Sequence, residues 1–374
     1  MTYQICRRCV MDTSVDGISF DAAGVCQFCR QYDKRVAREL FVGESGQKQL
    51  EQFLQRIRQR GTGRPYDCLI GMSGGVDSTY VAYLLKRRYN LRPLALHVDN
   101  GWNADVSVKN IQKVLKTLQI DLVTEVLDWD EFKDLQVSFL RASIANAEIP
   151  TDHAVVAKLF RTAVQHNLSN IITGSNIVTE AIMPETWMYD ATDWRLIKAI
   201  QRRHGTRPLK HFPYIRLIDF AYYIFLKGIR FFPILNYVSY NKRDAKRILQ
   251  EEFGWQDYGE KHYESIYTRF FQTYLLPRKF GIDKRRAHYS TLILSGQMTR
   301  EEALQRLQEP PLAPDLAESD KDYVIRKLCL SQEDFDRILG ERVRSVSDYP
   351  NNLSWRRTLS FLVKLGRSRA IRHD

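Results

Sequence analysis

The hexapeptide Ser73-Gly74-Gly75-Val76-Asp77-Ser78 joins an apolar run, Tyr66-Asp67-Cys68-Leu69-Ile70-Gly71-Met72, to a helical pattern that reaches Arg88. A short apolar run feeding directly into a helix reads as a buried strand, and two successive glycines let the connecting backbone turn tightly and approach a ligand closely. The amides that open the helix then point at whatever anion lies in the turn, aided by the helix dipole, and Ser73 and Ser78 add hydroxyl donors. The segment is therefore read as a phosphate-binding loop. It is not the Gly-Lys-Ser/Thr type, because no lysine follows at the required spacing.

Beyond this junction, strand and helix signals alternate. Strands are predicted at 68–72, 92–98, 121–126 and 170–173, with a fifth at 234–239. Helices are expected over 77–88, 105–118, 129–145 and 153–166, and Asn241 reads as the cap of another. Such alternation predicts the α/β class, with a parallel five-stranded sheet wrapped by helices. Ligands of open α/β sheets bind past the carboxyl ends of the strands. The residues placed there are the phosphate loop, His97 and Asp99, then Gly174, Ser175 and Asn176 with Glu180 one turn on. Gly174 is expected to admit a nucleotide closely, and Ser175 and Asn176 to hydrogen-bond it.

Four of the six cysteines fall as Cys6-x2-Cys9 and Cys26-x2-Cys29, with sixteen residues between the pairs. Two such knuckles deliver four thiolates to one tetrahedral ion, so residues 1–32 are read as a structural zinc ribbon, with turns at Asp16-Gly17 and Ala23-Gly24. Residues 33–61 form a charged connecting helix. The sheet domain is assigned to 62–255, and a helical substrate- or partner-binding region to 256–374.

At 374 residues, 44% hydrophobic and 27% charged, the composition is that of a soluble globular chain. The first residues run into cysteines without an apolar leader, so a cytoplasmic location is expected, and no apolar run is long enough to span a membrane. The aromatic stretch 212–240, with Arg216, Lys227 and Arg230, is read as buried helices with a basic rim, contact with a membrane surface remaining the alternative. The net charge of +12 points to anionic ligands. Within 256–290, Lys261, His262, Lys279, Lys284, Arg285 and His288 are dense enough to suggest recognition of an acidic ligand. The competing reading makes Glu264, Arg269 and Lys279 exposed ion pairs.

The loop resembles that of the PP-loop ATP pyrophosphatases, which split ATP into AMP and pyrophosphate. Adding the N-terminal ribbon, Thr173-Gly174-Ser175-Asn176 and the Lys279–His288 block, residues 3–305 resemble the N-acetyl sugar amidotransferases of surface-polysaccharide biosynthesis. The resemblance implies the adenine nucleotide alpha-hydrolase-like sheet, with ATP and Mg2+ as cofactors beside the structural Zn2+. It also implies a UDP-acetamido sugar as substrate, and ammonia from a separate glutaminase through a barrel-type channel subunit. Asp77 is its Mg2+ ligand, Lys279 neutralises charge, and Asp152 or Glu180 is the candidate base for ammonia. No nucleic-acid partner is expected. Cys68 within a strand and Cys329 on a late helix lack the setting of a glutaminase nucleophile. The alternative is a PP-loop enzyme that thiolates or otherwise modifies tRNA, a reaction that generally asks for a reactive cysteine or a cluster beside the nucleotide.

Overall fold

The computed structural model describes residues 2–260 and 263–353. Lys261, His262 and the basic tail from 354 onward lie outside the described residues. Five parallel strands form one sheet in the order β3-β2-β1-β4-β5: β1 Cys68–Gly71, β2 Pro93–Asp99, β3 Leu122–Val126, β4 Asn170–Thr173 and β5 Arg230–Pro233. Alternate side chains leave opposite faces of each strand, and the core divides accordingly. Leu69, Leu94, Leu96 and Ile171 pack with Ala157, Phe160 and Ala163 on one side, whereas Ile70, Ala95 and Ile172 pack on the other.

The first of those layers is α6 (Ile149–Gln165) with α9 (Leu217–Ala221), and the second comprises α2 (Glu44–Gly61), α3 (Val76–Tyr83), α4 (Asp105–Leu118) and α10 (Lys242–Phe253). Asn241 caps α10, accepting from the amides of Arg243 and Asp244 at 2.9 and 3.3 Å. The fifth strand departs from expectation. Ile234–Tyr237 is a single 3-10 turn, and β5 lies just before it, ending at Pro233. The apolar run is buried as predicted, but proline lacks the amide a longer ladder needs.

Around the sheet lie α1 (Gln27–Glu39), α5 (Trp129–Ala142), α7 (Ile177–Glu180) and α8 (Trp194–His204). The helical C-terminal region contains α11 (Ile266–Phe270), α12 (Lys284–Leu294), α13 (Arg300–Gln308), α14 (Pro314–Lys327) and α15 (Gln332–Gly340). Helices α3, α9 and α11 continue in wider π-type turns, through Arg88, Leu226 and Phe280 respectively. One apolar core joins the ribbon cysteines to α5, α8, α11, α14 and α15. Buried carboxylates pin its loops: Glu131 accepts the amides of Lys210, His211 and Phe212, and Asp134 those of Thr206 and Arg207. No helix among the described residues is long and apolar enough to cross a membrane.

Candidate active site and metal centre

Strand β1 ends at Gly71, and Gly75 occupies the N-cap of α3, so the loop forms where the sequence places it. Gly74 has φ +81°, and a Cβ there would lie 2.6 Å from the Ser107 carbonyl oxygen in the first turn of α4. Glycine is thus required both by conformation and by space. Gly75 accepts no larger side chain comfortably, since a Cβ would sit 3.1 Å from Ser73 Oγ and 3.2 Å from both Glu264 Oε1 and Tyr258 Oη. The amide of Gly75 donates to Ser73 Oγ at 3.2 Å, and Ser73 N donates to Ser78 Oγ at 3.3 Å. These hydroxyls and the α3 amides converge on the turn between β1 and α3.

Asp77, in the first turn of α3, accepts a short hydrogen bond from the Tyr240 hydroxyl. Burial, then the Asp77 charge, pushes the Tyr240 hydroxyl well above the usual phenol range. Tyr240 therefore remains a donor that orients the carboxylate. Glu180 is also close enough to raise Tyr240, so Asp77, Tyr240 and Glu180 share one corner of the crevice. Asp152 sits exposed on the first turn of α6, whose Thr151 accepts from Asn100 just past β2 at 3.3 Å.

His97 and Asp99 support the loop from behind. His97 Nδ1 lies 2.8 Å from the Met72 carbonyl oxygen, its other nitrogen lies 3.2 Å from Asn103 Nδ2, and Asn103 also donates to Asp99. Gly174 sits where two elements meet. A Cβ on it would lie 2.9 Å from the Asp77 carbonyl carbon, so a glycine here lets α3 pack closely against β4. Asn176 is buried, caps α7 by accepting from Thr179 at 2.9 Å and donates to the Gly174 carbonyl. Ser175 is exposed beside them.

A strap that sequence reading missed crosses the loop after α10. Trp255 Nε1 donates to the Gly74 carbonyl at 3.2 Å, Val76 N donates to Tyr258 Oη at 3.1 Å, and the Glu264 carbonyl accepts from Ala104 N and Ser107 Oγ. Burial, then the Glu264 charge, raises the Tyr258 hydroxyl well above its ordinary value. Glu264 is therefore a part-buried carboxylate on the loop side, where the competing sequence reading makes it exposed.

The basic C-terminal block finds several partners within the chain. Lys279 Nζ, expected to neutralise charge at the reaction site, donates to the Ile338 and Glu341 carbonyls at the end of α15 and caps that helix. Arg285 pairs with Asp283 at 2.8 Å and donates to the Glu309 carbonyl, and Lys284 lies 3.6 Å from Glu148. Arg269, read as an exposed pair, is part-buried against Asp320 at 2.6 Å. Lys284, Arg285 and His288 line a cavity of about 40 Å³. The carboxylates that face Lys284, Arg285 and Arg269 thus come from within the chain.

At the N-terminus, the sulfurs of Cys6, Cys9, Cys26 and Cys29 all lie within 4.8 Å of one another and are buried. Three of the separations are 3.7 Å, which fits the edge of a tetrahedron of about 2.3 Å metal–sulfur bonds. Amides of Arg8 and Cys26 donate to Cys6 Sγ at 3.4 and 3.3 Å, as a thiolate ligand requires. The four cysteines form a metal site. Arg300 binds the carbonyls of Cys6 and Cys9, and Arg286 pairs with Asp12 at 2.9 Å, locking the ribbon to α12 and α13. Cys68 is fully buried in β1, and burial pushes its thiol up, whereas Cys329 is exposed after α14.

Comparison with known proteins gives two family matches: LPS biosynthesis protein WbpG-like, C-terminal domain, over residues 264–361, and queuosine biosynthesis protein QueC over 67–180. An uncharacterized protein of Methanocaldococcus jannaschii is 30% identical over 138 residues, 36% of this chain and 46% of that one. The glutamine-hydrolyzing GMP synthase of Pyrobaculum aerophilum is 35% identical over 75 residues, 20% of this chain and 14% of its own. The chain thus spans less than half the length of these curated relatives. Among solved structures, the U34-tRNA thiolase NcsA of Methanococcus maripaludis with its [4Fe-4S] cluster aligns at TM-score 0.33 and 15% identity, covering 83% of this chain and 90% of NcsA.

Proposed function

We propose that this chain is a PP-loop enzyme of the N-acetyl sugar amidotransferase kind, which converts an acetamido group of a UDP-linked sugar to acetamidino at the expense of ATP. What supports this reading is the joining of an intact loop on β1–α3 to a WbpG-like segment in a single chain.

An amide carbonyl resists ammonia because its oxygen leaves poorly. Transfer of AMP to that oxygen makes it a leaving group and expels pyrophosphate, and ammonia then displaces AMP to leave an amidine. Ser73 and Ser78 would hold the departing pyrophosphate, where charge develops, together with the amides of Gly75 and Val76 once these exchange Ser73 Oγ and Tyr258 Oη for phosphate oxygens. Asp77, oriented by Tyr240, would hold Mg2+ with Glu180 nearby, the ion supplying neutralisation of phosphate charge. Glu180 and Asp152 remain the two candidate bases, Glu180 near enough to Tyr240 to raise its hydroxyl and Asp152 exposed on α6. The tetrahedral thiolate set favours a single structural Zn2+, because a four-iron cluster would ligate each sulfur through a different iron and hold them farther apart.

With Cys68 sealed in the sheet and no glutaminase-like nucleophile, ammonia would come from a separate glutaminase through a channel subunit. Incubation with ATP, Mg2+, ammonium and UDP-acetamido sugars should release AMP and give a product in which NH replaces oxygen by mass. AMP release that depended on tRNA instead would move the assignment to tRNA modification.

A further inference from the structure

The helix Leu217–Leu226 carries aromatic side chains on both faces, yet only one face has a partner. Phe220, Tyr223 and Ile224 pack inward, Phe220 and Tyr223 against Phe160. Ile218, Tyr222, Phe225 and Leu226 point away from the core, at 69, 41, 69 and 77% exposure. Their spacing of four, three and one residues makes a continuous outward stripe on a helix. Isolated exposed apolar residues need no explanation, but a contiguous stripe marks a contact surface.

Both ends of this stripe are basic. At its start, a cleft of about 760 Å³ between α8 and Leu217 is lined by Arg195, Lys198, Arg202 and Arg203. At its end, a cleft of about 460 Å³ is lined by Arg60, Arg64, Lys227 and Arg230. Among the described residues, none of these eight cations has a carboxylate partner, although Arg216 beside them is tied to Asp219 at 2.8 Å. Arg203 instead covers the Tyr349 ring, and Lys227 the Tyr222 ring.

We propose that this face docks on an anionic lipid surface, the helix Leu217–Leu226 lying in the plane of the headgroups with its apolar stripe immersed and the two basic clefts on lipid phosphates. An amphipathic helix with cations flanking its apolar face binds in this manner through combined burial and charge attraction. A second copy of the chain fits less well. Whichever way two stripes are laid together, basic clefts meet basic clefts, and like charges directly opposed are repulsive. The inference is independent of the reaction assigned to the phosphate loop.

Cosedimentation of the full chain with vesicles tests it. The protein should pellet with mixed phosphatidylcholine and phosphatidylglycerol but not with phosphatidylcholine alone, and rising salt should release it. The outward pair Ile218→Ser and Phe225→Ser should weaken partition by at least about tenfold. Lys227→Gln and Arg230→Gln, which touch no core residue, should each weaken it about fivefold. Binding that is absent, indifferent to lipid charge, or unchanged in both sets of variants overturns the proposal. So does light scattering that shows a lipid-free dimer dispersed by Phe225→Ser, which would assign the stripe to a second copy.

Discussion

Replacing Gly74 by alanine separates what the phosphate loop needs for folding from what it needs for chemistry. Two costs fall on that substitution. The first is conformational: φ of +81° disfavours an L side chain by about 1–2 kcal/mol. The second is steric, because the new Cβ would lie 2.6 Å from the Ser107 carbonyl oxygen and 2.9 Å from Ser107 Cβ, with ordinary contact beginning only at 3.4 Å. Ser107 is fixed in α4 by bonds to the Ala104 and Glu264 carbonyls, so the loop must move, by about 0.8 Å, and a displacement near 1 Å costs about 100-fold in rate. Gly63 supplies the control. It has φ +76° but nothing within 4 Å of an added Cβ, so Gly63→Ala carries the conformational cost alone. Gly63→Ala should lose about 1–2 kcal/mol in denaturant unfolding and Gly74→Ala more than that, whereas only Gly74→Ala should lose AMP formation, by about two orders of magnitude. AMP formation by Gly74→Ala at the level of Gly63→Ala would refute the claim that a rigid cradle against α4 holds the phosphates.

Other outcomes follow from the remaining contacts. Asp77→Ala should abolish AMP formation while the zinc content stays unchanged by elemental analysis, and Tyr240→Phe should lower the rate about tenfold by freeing the carboxylate it orients. Lys279→Met should cost about 1–3 kcal/mol in melting experiments through lost caps on α15 yet leave AMP formation intact; an activity loss without destabilisation would restore Lys279 to the mechanism. Burial raises Glu131, but the amides of Lys210, His211 and Phe212 outweigh it, so its folded pKa lies below the ordinary glutamate value. Its stabilisation is present above that unfolded pKa and is lost as pH falls through the lower folded one, so melting temperature should drop on acidification below about 4.5, and Glu131→Gln should flatten that limb. Metal removal by chelator should release one ion per chain and broaden the unfolding of the whole C-terminal region, because α12 and α13 grip the ribbon.

Much of the sheet is legible locally. The runs at β1, β2 and β4, the helix 105–118 and the Asn241 cap are governed by residues adjacent in sequence, so periodicity and capping chemistry suffice. The fifth strand is misplaced because a buried apolar run at 234–239 carries no register information, and only pairing with β4 shows that Arg230–Pro233 is the strand. The loop glycines are legible for the same local reason. Tyr240, Tyr258 and Glu264 are not, since they reach the loop from some 160 to 190 positions away and match no spaced motif. Charge misled for a related reason: Lys284 and Arg286 look unneutralised in a basic block, but their carboxylates, Glu148 and Asp12, lie far off in sequence.

The grip of Arg286, Ser290 and Arg300 on Asp12, Val10, Cys6 and Cys9 has a consequence for biosynthesis. Once made, the ribbon's knuckles can gather their ion at once, but their outer wall is translated nearly three hundred residues later. Until then, the nascent chain carries an uncovered apolar flank beside the ion, which makes this the stage at which a chaperone has most to do.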